Sequence, residues 1–195
     1  MPKRVPSPEL MAAVDALRAP DARVAIAGVS GSGKSTLARR LSAAVDLPYT
    51  ELDALHWGAD WTPRPSFADD VCELVARERW VTEWQYRAVR PLILGRATVM
   101  IWLDPPFRTT FRRVVSRTLW RRLRREELWN GNQEPGIRHA ILHREGIIRW
   151  TVSTRNKYRN LIESAVRTRP DLVVLRTRRT REVRALLAAV STTQD

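Results

Sequence analysis

Cysteine is almost missing from this chain of 195 residues, with Cys72 its single representative. That excludes an internal disulfide and any zinc site built from several thiolates. Cys72 lies in Phe67-x3-Val71-Cys72-x-Leu74-Val75, where it reads as a small residue of an amphipathic helix and not as a nucleophile. Lysine is nearly as scarce: Lys3, Lys34 and Lys157 are the only three among 34 basic residues. No apolar run approaches the roughly 20 residues that span a bilayer, so no membrane partner is expected. Internal repeats, low-complexity tracts and Pro/Gly-rich linkers are also missing. Residues 1–6 carry basic side chains with no apolar stretch behind them, so a secretory signal is not expected and the cytoplasm is the expected compartment.

What is present describes an ordinary soluble globular chain, with 44% apolar and 28% charged residues. The length suits one mid-sized domain, expected over 21–195, behind an arm and short helix over 1–20. Acidic residues are outnumbered and the formal net charge is +13. A surface this basic attracts polyanions, whether nucleotides, phosphorylated metabolites or nucleic acids. The scarcity of lysine beside abundant arginine and alanine is also what a GC-rich coding sequence produces. The distribution of charge is therefore more informative than its sum.

Five short apolar segments read as strands: 23–28, 48–53, 80–83, 99–104 and 172–175. Between them, 8–17, 34–45, 67–78, 86–97, 107–125, 137–166 and 181–190 show helical spacing, with Thr180 placed to cap the last. Strands that alternate with helices predict a parallel sheet covered on both faces, with its ligand crevice at the strands' carboxyl ends. Gly28, Asp53, Glu83 and Asp104 all fall at such ends.

The first strand runs into Gly28-Val29-Ser30-Gly31-Ser32-Gly33-Lys34-Ser35, followed by Thr36. This is the phosphate-binding pattern G-x-x-x-x-G-K-[ST] in the strand-to-helix context it requires. Gly28, Gly31 and Gly33 let the backbone approach an oxygen closely, and the amides through Ser30 and Ser32 form an anion nest. Lys34 is placed to reach the β and γ oxygens and Ser35 to ligate magnesium. ATP and Mg²⁺ are the expected ligands.

Three acids are candidates for the chemistry after ATP binds. Asp53 would face the γ-phosphate from the acceptor side and orient an attacking hydroxyl. Asp104, closing an apolar strand, has the arrangement that holds magnesium through water. Glu83 stands beside Trp84, Gln85 and Tyr86, a cluster able to hydrogen-bond and stack on an acceptor. His56 and Trp57 come soon enough after Asp53 to line the same pocket. Arg113, Arg117, Arg121 and Arg124 recur at spacings of four and three, on one stripe of a helix. The segment 127–136 behind them, with Arg138, Arg144, Arg149 and Arg155, reads as a lid over about 117–150. Arg117 and Arg121 are the expected phosphate contacts on the stripe. His139 and His143 have no accompanying carboxylate or cysteine pattern, so they are not read as a metal site.

With these residues in place, the chain resembles the small adenylate-kinase-like P-loop proteins of bacteria often labelled DNA topology modulation proteins. The shared features are the loop through Thr36, Leu52-Asp53-Ala54-Leu55-His56-Trp57, Trp61, and the arginine helix ending in Leu128-Trp129-Asn130-Gly131-Asn132. The resemblance implies an α/β fold of the P-loop NTPase kind. It would be a three-layer α/β/α arrangement around a five-stranded parallel sheet, nucleoside-monophosphate-kinase-like, with a mobile lid. It also places Arg178 and Arg179 near the adenine. Relatives often carry Asp-Gly-Asn-Tyr where this chain has Thr82-Glu83-Trp84-Gln85-Tyr86, so the acceptor wall is altered. The expected activity is an ATP-dependent phosphotransferase acting on a nucleotide, a nucleoside or another small hydroxyl acceptor. The alternatives are a nucleic-acid-binding ATPase and a regulatory ATP-binding module with slow hydrolysis. Under the phosphotransferase reading, DNA binding by the arginines would be weak and salt-sensitive. The oligomeric state has no signature in the sequence.

Overall fold

The computed structural model describes residues 7–124, 127–132 and 157–192. Among these residues four parallel strands form the sheet: β1 (Arg23–Gly28), β2 (Trp80–Glu83), β3 (Val99–Leu103) and β4 (Val173–Thr177), in the order β2-β1-β3-β4. Every connection between them crosses over through helix, which is what a parallel pairing demands. In register, Ile26 of β1 lies beside Glu83 of β2 and Ile101 of β3.

The strands alternate strictly between two cores. Val24 and Ile26 join Val81, Ile101 and Leu103 on one face. That face is covered by α1 (Pro8–Arg18), α2 (Lys34–Val45) and, after β4, the C-terminal helix (Thr180–Ser191). Ala25 and Ala27 face the other way, and their small size leaves room for Trp80, Trp84 and Met100. This second face is covered by α4 (Phe67–Ala76), α5 (Arg90–Arg96) and the helix Lys157–Thr168. The three-layer α/β/α arrangement expected from the alternation is thus observed. α1 belongs to it fully: Ala13 and Leu17 have no exposed surface, and Arg18 donates to the Ala189 carbonyl at 2.8 Å.

The fifth strand expected over 48–53 is not formed. Tyr49 makes an isolated parallel bridge to Val81, with Val81 N–H to Pro48 O at 3.0 Å and Thr50 N–H to Val81 O at 3.2 Å. The chain then turns into the short helix α3 (Leu52–His56). The Leu52 amide is taken by the Glu83 carboxylate at 3.3 Å instead of a ladder carbonyl, and the Leu52 side chain is fully buried.

Two helix starts also differ from expectation. α5 begins at Arg90 and not at Tyr86, because Tyr86 has φ +57° and Pro91 occupies the first helical turn. The C-terminal helix is capped not by Thr180 but by Glu182, whose Oε2 accepts from the amides of Arg178 (2.7 Å) and Arg179 (3.2 Å). The arginine helix α6 runs Phe107–Leu123. Of the expected lid, Arg138, His139, His143, Arg144, Arg149 and Arg155 lie outside the described residues. Numbering in chain order, Lys157–Thr168 is α7 and Thr180–Ser191 is α8. Among the described residues no helix is long and apolar enough to cross a membrane.

Candidate functional site

The phosphate loop is shaped by its glycines and by what presses on them. Gly31 has φ +73°, and a Cβ there would meet the Thr110 carbonyl at 2.6 Å and Val114 at 2.8 Å. A Cβ on Gly28 would meet Ser32 Oγ at 2.6 Å and the Leu103 carbonyl at 2.7 Å. The loop therefore lies directly against β3 and α6, closer than any side chain allows. Gly33, at φ +103°, leads into α2, whose first turn no side chain caps. The Ser32 hydroxyl is buried with no protein partner. Unpaired amides at a helix start, a buried lone hydroxyl and a cradle that a Cβ would fill are the features a triphosphate fits.

Lys34 opens α2 and donates to the Val29 carbonyl at 3.4 Å. Burial depresses its pKa; Glu83 and then Asp53 act in the opposite sense, and Arg117 adds to the depression. Both acids thus stand within electrostatic reach of one ammonium.

They do so in different settings. Glu83 ends β2, is 1% exposed, and accepts from Tyr49 Oη at 2.7 Å and the Leu52 amide at 3.3 Å. Burial raises its pKa; Tyr49, Leu52, the Ser35 hydroxyl and Lys34 oppose the rise. Asp53 sits in the first turn of α3, where its Oδ1 accepts from Gln85 Nε2 at 2.8 Å and Tyr86 Oη at 2.5 Å. Burial foremost, and then the Asp53 charge, hold the Tyr86 phenol far above its ordinary pKa, so it stays a donor. Neither bond uses Oδ2. Glu83 was grouped with Gln85 and Tyr86 by sequence; those two bond Asp53, whereas Glu83 accepts from Tyr49 and the Leu52 amide and lies toward Ser35 and Lys34.

Asp104 was expected beside Ser35. Its carboxylate instead pairs with Arg176, whose Nε lies at 3.0 Å, and has Arg178 Nε at 3.8 Å. Arg176 is itself stacked on Trp102, at 4.1 Å. The acid adjacent to Ser35 is Glu83.

The arginine stripe divides along α6. Arg113 donates to the Ser32 carbonyl at 3.3 Å and Arg117 to Ser30 Oγ at 3.4 Å, so these two face the phosphate loop. Arg121 stacks on Trp129 at 5.8 Å, and Arg124 on Trp120 at 4.8 Å. A cleft of about 370 Å³ opens beside the loop, lined by Gly33, Thr36, Arg113, Arg178 and Arg179 together with Arg40 and Arg184. The last two carry no motif and escaped the reading of the sequence.

Around His56 the aromatic rings form a continuous wall. His56 lies 4.2 Å from Tyr86, 4.5 Å from Trp57 and 4.6 Å from Phe67, centroid to centroid. Its Nδ1 is buried without a partner, and burial lowers its pKa while Asp53 acts in the opposite sense. Trp57 continues to Trp61, and Trp61 to Trp129. The segment carrying Trp129 is fastened by Asn132, which is 5% exposed. Asn132 Oδ1 accepts from the Trp61 amide at 2.8 Å, and its Nδ2 donates to the Gly58 and Trp129 carbonyls, both at 2.7 Å. The two segments that carried the family resemblance, Leu52–Trp57 with Trp61 and Leu128–Asn132, therefore lie against each other. Asn132 gave no signal of this role, because its partners Trp61 and Gly58 are about seventy positions away.

No protein-family model matches the chain, and no curated protein matches it. Among solved structures it is similar to shikimate kinase from Acinetobacter baumannii in complex with shikimate, at 15% identity and TM-score 0.51, over 91% of this chain and 94% of that one. It is also similar to a gluconokinase from Sinorhizobium meliloti 1021, at 19% identity and TM-score 0.48, over 88% and 94% of the two chains. A sugar kinase from Janibacter sp. HTCC2649 is similar at 20% identity and TM-score 0.46, over 89% and 100%. At such identities the likeness is one of fold. The chain has the α/β fold of the small P-loop kinases, with a four-stranded parallel sheet.

Proposed function

We propose that this chain is an ATP-dependent phosphotransferase that moves the γ-phosphoryl of Mg-ATP to a hydroxyl of a small acceptor. The observation that carries the reading is the position of Lys34, with Glu83 and Asp53 both within its electrostatic reach and Asp53 oriented by two donors. Lys34 and the loop amides hold the triphosphate, and Arg113 and Arg117 lie ready to neutralise charge that spreads over its oxygens. Arg178 and Arg179 flank the base end of the cleft. Ser35 and Glu83 are the residues that would hold magnesium, which when bound screens the β and γ oxygens. Asp104 is held through its Oδ2 by Arg176, which leaves Oδ1 to receive a metal-bound water. Asp53 receives the acceptor hydroxyl on Oδ2, while Gln85 and Tyr86 fix the carboxylate through Oδ1. His56, Trp57 and Tyr86 wall the acceptor. Nucleotides, nucleosides and other hydroxyl metabolites are the candidate acceptors. Shikimate joins them because the shikimate kinase of like fold was solved with it bound.

A coupled ADP-release screen over nucleosides, nucleoside monophosphates, sugars, polyols and hydroxy acids tests this reading. At least one acceptor is expected to stimulate turnover. Lys34→Ala should lower that turnover by about 10²–10³-fold while leaving the fold intact. Asp53→Asn should cut transfer with little change in ATP affinity by calorimetry. Near-wild-type transfer in a folded Lys34→Ala protein would refute the assignment.

A further inference from the structure

Arg90 is a buried arginine paired with no anion among the described residues. It is 9% exposed, and no other described arginine is buried. Arginines with more exposed side chains find acids or carbonyls: Arg64 pairs with Asp70 at 3.1 Å, and Arg169 bonds Asp171 and the Leu94 carbonyl. No carboxylate among the described residues pairs with Arg90. Its guanidinium instead lies over the Trp84 ring at 5.6 Å, and Trp84 is locked in place by donating its Nε1–H to the Arg90 carbonyl at 3.0 Å. A guanidinium does not shed its proton to escape burial. Taking its charge out of water is costly unless an anion compensates, and one aromatic face is a partial substitute.

The side chain's surroundings show where that anion would come from. Arg90 is the first residue of α5, the helix that follows β2, so it stands at the carboxyl-end side of the sheet. First-turn side chains lean toward the helix N-terminus, here toward the crevice. The Tyr158 hydroxyl donates to the Trp84 carbonyl at 3.2 Å. Burial pushes the Tyr158 phenol up to about 12, Arg90 acts against the rise and Asp53 adds to it, so this hydroxyl senses both charges. One short segment, 84–86, thus carries the guanidinium on Trp84 at one end and bonds the Asp53 carboxylate through Tyr86 at the other.

We propose that Arg90 anchors an anionic group of the acceptor, a carboxylate or a phosphate ester, while Asp53 receives its hydroxyl. The inference rests on the phosphotransferase reading of Asp53 and narrows the substrate to hydroxy acids or phosphorylated hydroxyl compounds. Neutral sugars and free nucleosides present no such group. The planar guanidinium fork suits either anion, since both offer two oxygens at matching spacing.

Binding to the full chain is measured by calorimetry in matched pairs: gluconate against glucose, ribose 5-phosphate against ribose, and AMP against adenosine. The wild-type protein should favour the anionic member of at least one pair by about 10- to 100-fold, the span of a charge-assisted contact. Which pair responds separates carboxylate from phosphate. Arg90→Gln should erase that preference while ATP affinity stays unchanged. Arg90→Lys, which keeps charge but loses the fork, should retain part of it and serves if the glutamine variant does not fold. Equal affinity for charged and neutral members, no binding of any anion, or an unaltered preference in both variants would each overturn the anchor. None of those results touches the phosphotransferase reading, which stands or falls on ADP release.

Discussion

His56 shows how a single side chain records its surroundings. Its Nδ1 is buried and unpartnered, and burial lowers its pKa below the ordinary value, with Asp53 acting in opposition. In the window from about 6.5 down to the folded value, the unfolded chain binds a proton that the folded chain refuses. The associated stability is therefore complete above about pH 6.5 and is lost as pH falls toward the folded value. Melting temperatures measured from pH 7 to pH 5 should drop more steeply for the wild type than for His56→Gln, which cannot be charged. Parallel curves would remove His56 as the cause. Lys34 belongs to the same scale with the same physical origin: burial disfavours its charge, and a bound triphosphate would restore it.

Elements meet at two joints, and each can be tested without touching the proposed reacting groups. The first joins the phosphate loop to α6 through Gly31. Gly31→Ala introduces a methyl at 2.6 Å from the Thr110 carbonyl, on a residue already at φ +73°. Left-handed strain of this kind costs about 1–3 kcal/mol. A lowered melting temperature and weakened ATP binding in the same protein are the expected outcome, read by calorimetry and thermal denaturation. The second joint is the clasp of Leu128–Asn132 on the loop that carries Trp57 and Trp61. Asp60, Trp61 and Asn130 all adopt positive φ there, a conformation bulky side chains avoid. The Asn132 bond to the Trp61 amide helps to hold it. Asn132→Ala removes the side-chain acceptor of the Trp61 amide and the side-chain donor to the Gly58 carbonyl, at about 1–3 kcal/mol for each buried group left unpaired; the Trp129 carbonyl keeps the Asn132 backbone N–H. Acceptor KM should rise, with ATP KM unchanged and tryptophan emission shifted to the red. Unchanged emission and acceptor KM would show that the clasp does not shape the pocket.

Across the described residues the excess of positive charge is resolved by direction more than by amount. Arg113 and Arg117 point at the phosphate loop, Arg176 is engaged by Asp104, and Arg121 and Arg124 lie on indole rings. This arrangement serves one compact polyanion better than an extended backbone. A protein that neutralises several duplex phosphates loses affinity with a log–log salt slope of about −0.9 per contact. DNA retention is therefore expected to be loose, indifferent to sequence and gone at physiological ionic strength, while ATP binding persists. The double variant Arg113→Ala with Arg117→Ala should depress turnover far more than DNA retention. Tight DNA binding at physiological salt, abolished by that variant with ATP turnover intact, would favour a nucleic-acid-dependent ATPase instead.

The eight residues from Gly28 to Ser35 were legible in the sequence because their chemistry is local, resting on consecutive amides, three permissive glycines and one lysine. Four of the five expected strands and the two-faced sheet were equally legible, since alternation and apolar runs are properties of short windows. Asp53 stood out for its place at the end of an expected strand, although that strand proved to be a single bridge followed by a helix. What the tertiary structure alone decided is which charges meet. Glu83 turns to Ser35, Asp104 to Arg176 and Asn132 to Trp61, while Arg90 is buried with no acid of the described residues paired to it. Partners in those pairs stand some fifty to seventy positions apart. Ion pairing and burial depend on which groups the fold brings within a few ångströms, a distance that sequence separation does not encode.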